Sequence, residues 1–188
     1  MFIPTIQEST SNGEKVYDIY SKLLENRIIF INGEINDTLS NLIISELLYL
    51  DSINHDDIDI YINSPGGSVT SGLAIIDTMN FIKSNVRTTV IGMAASMASL
   101  ILASGTKGKR YSLKNSEVMI HQPLGNTSGQ ATDIEIQAKR ILNKKKMLNK
   151  MLSSLTNQPL NIIELDTERD KYLSSKEALA YGIIDNII

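Results

Sequence analysis

Ser96 sits in Gly92-Met93-Ala94-Ala95-Ser96-Met97-Ala98, just past an apolar stretch. Small residues two positions either side let the backbone turn sharply and leave the hydroxyl accessible, as at a nucleophile elbow. At a helix N-terminus the same serine would have backbone N–H groups and the positive end of the dipole close by, both favourable to an oxyanion. An ordinary helix N-cap serine would look the same on this segment alone. A base must therefore be found, and the chain holds only 2 histidines. His55 lies in the polar connection Asn54-His55-Asp56-Asp57 and reads as a solvated loop residue, with too few ligands nearby for a metal site. His121 closes the apolar run Val118-Met119-Ile120 and is followed by Gln122-Pro123. That places it at a strand end, where α/β sheets tend to bind ligands.

Two further segments complete a candidate hydrolytic site. Ser64-Pro65-Gly66-Gly67-Ser68 follows another apolar strand, and its glycines permit positive φ and close approach of backbone to a substrate. A free N–H at Gly67 beside that of Met97 would make an oxyanion hole. A tight strand-to-helix turn would use the same residues, and no Gly-Lys-Ser/Thr follows to make a phosphate loop. Asp166-Thr167-Glu168-Arg169-Asp170 offers carboxylates to orient a histidine, and periodicity does not choose among them.

The elements that must position these groups alternate. Ile28–Ile31, Ile58–Ile62, Thr88–Ile91 and Val118–Ile120 read as strands, the third ending at Gly92. Asp37 is placed as the N-cap of a helix with Leu39, Leu42, Ile43, Leu47 and Leu50 on one face; a second helix carries Val69, Leu73, Ile76 and Met79. Strand–helix alternation predicts an α/β fold with helices covering a largely parallel sheet. Asp133–Leu155 reads as a long helix that needs a partner surface, although Lys145 interrupts its apolar stripe. Gly125–Gln130, ahead of it, is a loop or exposed edge segment. Ser174-x-x-Glu177 is a capping box and Gly182 the stop of a final helix. The first twenty residues, with Ser9-Thr10-Ser11-Asn12-Gly13, are expected to be mobile at their tip.

Composition sets outer limits. A chain of 188 residues with 42% hydrophobic residues suits one domain, 1–188, with a real core. Net charge is -3, which points to neither nucleic acid nor an anionic membrane. Cys is 0, which removes thiol nucleophiles, disulfides and thiolate metal sites. No secretion signal opens the chain, and Val90–Ala103 is too short to span a bilayer. The expected location is the cytoplasm, or an organelle if a targeting segment has been removed.

With these residues in view, the chain resembles the ClpP family, the proteolytic subunits of the ATP-dependent caseinolytic protease (peptidase family S14). The likeness is carried by Tyr61-Ile62-Asn63-Ser64-Pro65-Gly66-Gly67-Ser68, Gly92–Met97, Met119-Ile120-His121-Gln122-Pro123-Leu124-Gly125 and Asp166–Asp170, in order and with matching spacing. It implies a crotonase-like fold with a protruding helix–strand handle at 125–155 and an axial N-terminal segment at 1–20. It implies Ser96 as nucleophile, His121 as base then acid, and Asp170 as the group that orients His121. Gly67 and Met97 would donate the oxyanion N–H groups, and Ser68, Val69 and Leu124 would align an extended peptide. Two stacked heptameric rings enclosing a chamber are implied, joined through the handle and through Glu168 and Arg169. Leu48, Tyr49, Tyr61 and Ile91 match positions that receive an AAA+ unfoldase such as ClpX, ClpA or ClpC. No cofactor is implied for this chain, ATP being used by that partner.

Departures from the family pattern are Ala98 for a common glycine, Lys114 for a frequent proline, Asn126-Thr127 for a Gly-containing pair, and a chain ending at Ile188 without a polar tail. The handle departures predict a compressed or loosened state in which His121 and Asp170 drift apart. Three rival readings follow: a catalytically weak or partner-dependent ring subunit, a crotonase-type acyl-CoA hydratase or isomerase, and a nucleic-acid role for Lys139, Arg140, Lys144, Lys145, Lys146 and Lys150. The last lacks aromatic interleaving and reads as a solvated helix face.

Overall fold

The computed structural model describes residues 3–10 and 13–188. Isoleucine-rich segments with alternating burial form β3 (Ile28–Asn32) and β4 (Ile58–Ser64), and the more continuously buried Val86–Ala95 forms β5. They pair in parallel, as strands joined by helical crossovers must. The helices α2 (Asp37–Ile53) and α3 (Val69–Phe81) supply those crossovers and bury Ile43, Leu47, Leu50, Ile75 and Ile76 against the sheet. Each such side chain removed from water contributes about 1.5–3 kcal/mol, which makes this layer the main source of stability. Leu42, expected on the buried face of α2, is 54% exposed. The N-cap of α2 is Asn36, whose side chain accepts from Leu39 N at 3.0 Å; Asp37 instead accepts from Ser71 Oγ, tying α2 to α3.

The strand predicted to stop at Gly92 continues to Ala95. Gly92 lies inside it at φ 93, against Asn63 Oδ1, where the β4–β5 register shifts. This irregularity lets β5 change partner along its length. Thr88–Val90 pair with β6 (Arg110–Ser112), and Met93–Ala95 pair with β7 (Glu117–Ile120). The sheet is completed by β8 (Lys171–Ser174), antiparallel to β7, and β9 (Asn186–Ile187), parallel to β6. It is thus largely parallel, with one antiparallel exception.

The remaining helices are α1 (Ile19–Glu25), α4 (Met97–Ala103), α5 (Ala131–Thr156), α6 (Leu160–Asp166) and α7 (Ser175–Tyr181). Helix α7 has the expected capping box and ends at Gly182, φ 89. The first half of α5 is exposed along its length, and only toward its C-terminal end do Leu148, Asn149 and Leu152 become buried. Ile136 and Leu142 are each 57% exposed, so α5 projects from the body with an apolar face uncovered by this chain. Residues 121–130 form no strand, which corrects the handle strand expected at 125–130: no neighbouring segment of the single chain offers it a ladder.

The N-terminal segment is a hairpin of β1 (Thr5–Thr10) and β2 (Gly13–Asp18), which the sequence had not indicated. Residues 11–12, on which the expected mobility falls, lie outside the described residues. Among those described, no helix is long and apolar enough to cross a membrane.

Candidate active site

Ser96 occupies the turn between β5 and α4 at φ 54, ψ -122. A non-glycine residue there is strained, by roughly 1–3 kcal/mol, and such strain persists only where the surroundings impose it. Here they do. Ser96 N–H donates to Met119 O at 2.8 Å, extending the β5–β7 pairing, while Ser99 N–H returns to Ser96 O at 3.0 Å and starts α4. Ser96 makes no side-chain cap, so its hydroxyl is free of the ordinary N-cap duty.

The same pairing brings the histidine alongside. Ala95 is opposite Met119 in β7, and His121 follows that strand. On its other side β7 pairs with β8 through Ile120 opposite Lys171, so the next positions outward, His121 and Asp170, meet. His121 Nε2 lies 2.7 Å from Ser96 Oγ, and Nδ1 lies 3.0 Å from Asp170 Oδ1. A carboxylate only accepts, so Nδ1 carries the proton and Nε2 is left to accept from the serine hydroxyl. The His121 side chain is 12% exposed and that of Asp170 58%.

The same register leaves the other two carboxylates of this segment with different partners. Asp166 pairs with Lys171 at 2.6 Å and accepts from Tyr181 Oη. Glu168 pairs with Lys145 at 2.6 Å, and that hydrogen bond holds its carboxyl below the usual range. Lys145, which interrupts the apolar stripe of α5, is thus the anchor of the acidic loop. Gln122 straps the same loop from the other side, its N–H donating to Thr167 O at 2.7 Å and its Nε2 to Glu168 O at 2.8 Å. Buried Thr167 in turn meets Asn149 of α5 at 3.2 Å. Sequence gave neither Gln122 nor Asn149 a role, and it marked Lys145 only as an interruption of the apolar stripe. The only local signal was a lysine on an apolar helix face.

Two expectations are corrected together. A loosened handle with His121 and Asp170 apart is not found: α5 runs unbroken from Ala131 to Thr156 and the His121–Asp170 bond is formed. The substituted residues Asn126 and Thr127 lie in the exposed loop ahead of α5. Gly125 is packed so closely on Ile141 that a Cβ would come 2.5 Å from its Cδ1.

The glycine turn faces Ser96. A Cβ on Gly66 would lie 2.6 Å from Ala95 O and 3.0 Å from Met97 N, so only glycine lets the two turns approach. Gly67, at φ 147, forms a bridge with Ile35 that uses the carbonyl of Gly66 and the N–H of Ser68. In a parallel bridge of this kind the N–H of Gly67 itself points to the opposite side. Met97 begins α4, so its N–H has no helical acceptor. Its side chain is locked against Gly72 of α3. Ser68 spends its N–H on Ile35 and its carbonyl on Gly72, so an incoming backbone finds Val69 N–H, the first of α3, rather than either group of Ser68.

Around Ser96 and His121 a groove of about 630 Å³ is lined by Gly67, Ser68, Val69, Leu124 and part of α5. Leu124 is 83% exposed on its rim. Elsewhere, His55 pairs with Asp51 at 3.1 Å and is 53% exposed. Tyr61 stacks on Phe30 on the outer face of the sheet, with Ile91 half-buried nearby on β5. Leu48 and Tyr49 are exposed on α2, and Tyr49 lines a separate groove with Tyr17 and Leu24. Arg169 is exposed beside Glu168.

A hydroxyl, an imidazole and a carboxylate in series, beside unpaired backbone N–H groups in an open groove, can carry out acyl transfer by a nucleophilic route. The fold that presents them is of the crotonase-like type. The model of the Clp protease family matches residues 11–188 of the chain. The chain belongs to the Clp protease family and is a protease; membership implies a ring assembly working with Clp ATPases.

Proposed function

We propose that the chain is a serine endopeptidase subunit that cuts unfolded polypeptides inside a ring-shaped chamber. The observation that carries this reading is the continuous hydrogen-bonded series Ser96–His121–Asp170, with Ser96 and His121 lining the groove. Ser96 Oγ attacks the scissile carbonyl as its proton passes to His121 Nε2, and Asp170 holds the imidazolium through Nδ1–H. The tetrahedral oxyanion is received by Gly67 and Met97 N–H. His121 then protonates the leaving amine, and a water deprotonated by the same nitrogen releases the acyl group from Ser96.

Assembly belongs to the same proposal. The uncovered apolar face of α5 supports its use as a handle between two stacked heptameric rings, with Glu168 and Arg169 at the ring junction. Leu48, Tyr49, Tyr61 and Ile91 would receive an AAA+ unfoldase such as ClpX, ClpA or ClpC. That partner consumes the ATP, and this chain uses no cofactor.

The reading is tested by a serine-directed fluorophosphonate. Mass analysis of the assembled protein should place one adduct per chain on Ser96, and a short peptide substrate should slow its formation. Adducts elsewhere, or none at Ser96, would overturn the proposal and leave a ring subunit without peptidase chemistry, or a hydratase that uses only the oxyanion groups.

Gly67→Ala tests the oxyanion role separately. The new Cβ would come 2.3 Å from Ile35 O and 2.9 Å from Ile35 N, and backbone cannot swing aside as a side chain would. The turn must shift and re-aim its N–H, with an expected loss of about 10²–10³ in kcat and a smaller change in KM. Steady-state kinetics on a short peptide would show it. An unchanged kcat would remove Gly67 from the mechanism.

A further inference from the structure

The wall of the groove opposite the glycine turn is the face of α5 carrying Gln137, Arg140, Ile141 and Lys144. Of the basic residues on this helix, those outside the groove wall include two that already have carboxylate partners: Lys139 pairs with Glu135 and Lys145 with Glu168. The two on the wall do not. Among the described residues Arg140 makes no ion pair, and Lys144 donates only to the neutral Thr70 Oγ1, at 3.1 Å. Glu34 is the one carboxylate in the lining, and it pairs with neither. The wall therefore presents two cations to whatever occupies the groove, against a single anion.

Their spacing suits an extended chain. Arg140 and Lys144 are one helical turn apart, about 6 Å along the axis. Side chains on one face of an extended peptide recur every second residue, about 7 Å. A peptide lying between the glycine turn and α5 would turn one face toward this wall, and carboxylates at alternate positions would meet both cations.

We propose that Arg140 and Lys144 determine substrate specificity, favouring peptides with acidic side chains at alternate positions on one flank of the scissile bond. This inference rests on the peptidase reading above.

Internally quenched peptides, identical except for Glu, Gln or Lys at two alternate positions on either flank, test it with the full assembled protein. On one flank the kcat/KM ratio of the Glu to the Lys peptide is expected to be about three- to tenfold at low salt, as for partly exposed ion pairs. The ratio should approach one near 1 M salt, where screening shortens the reach of charge to about 3 Å. Arg140→Glu combined with Lys144→Glu should invert it. Because the readout is a ratio, reduced assembly of the variant does not obscure it, and the salt series needs no variant. A ratio of one on both flanks, or one that ignores salt and charge reversal, would overturn the proposal. If no peptide is cut, or Ser96→Ala cuts them all equally, the peptidase reading itself fails and takes this one with it.

Discussion

Ser96→Ala is expected to reduce hydrolysis of a short peptide by about 10⁴-fold or more, with the oligomer intact. The size follows from the role proposed for the hydroxyl. Ser96 Oγ is 2.7 Å from His121 Nε2, close enough for the proton to move as the bond to carbon forms, and alanine removes both the nucleophile and the group from which the base draws. His121→Ala should fall by a similar factor, because serine is a poor nucleophile at neutral pH without a base. Combining the two should add little, since parts of one relay do not contribute independently. Asp170→Asn keeps the shape but reverses the hydrogen-bond logic: an amide nitrogen facing His121 favours the tautomer with the proton on Nε2, where it cannot accept from Ser96. The measurement is initial rate against substrate at matched oligomeric state. Ser96→Ala with more than a few per cent of wild-type kcat would exclude the proposed nucleophile.

The second large effect concerns stability. Arg110 is 4% exposed, and its guanidinium binds Asp185 through Nε at 2.9 Å and Nη2 at 2.6 Å. Its Nη1 donates to Leu155 O at 3.1 Å and to Ala103 O at 3.3 Å, near the ends of α5 and α4. One side chain thus joins the turn before β9, the long helix and the helix that follows Ser96. Arg110→Ala leaves the part-buried Asp185 carboxylate without its cation, held only by the backbone N–H groups of Gly108 and Arg110, and leaves two carbonyls without this donor. Breaking such a pair from one side costs about 3–5 kcal/mol. For a chain of this size that corresponds to a fall in Tm of about 6–20 °C. Calorimetry at matched protein concentration would measure it, and a shift below 2 °C would contradict the argument.

The same pair sets an acid limit. Burial alone would raise the Asp185 carboxyl, but the bonds from Arg110 outweigh it and hold the group below its ordinary range. A carboxylate whose pKa is depressed by folding adds stability above its unfolded value of about 4 and loses it as pH falls through the folded value. Wild type should therefore lose stability on acidification below about pH 4 more steeply than Arg110→Ala. Melting curves between pH 3 and pH 6 would compare the slopes.

Much of the candidate site was legible in residue types. Glycines at 66 and 67, a serine among small residues at 96 and a histidine closing an apolar strand are local signals, because turns and strand ends impose local demands on φ and side-chain size. The alternation of strands and helices was legible for the same reason: burial of one face writes a period into the chain. What local pattern left open was Asp166, Glu168 or Asp170, and the resemblance to a known family was needed to choose. In the structure the choice is made by strand register. Pairing of Ile120 with Lys171 sets Asp170 opposite His121, while Lys171 and Lys145 take the other two carboxylates. The turn of β5 past Gly92, the strap from Gln122 and the cationic wall of α5 likewise involve residues tens of positions apart. Sequence alone determined which chemical groups are present and which local turns present them. Only tertiary structure decided which groups meet, because register and helix docking depend on packing between distant segments that no local period records.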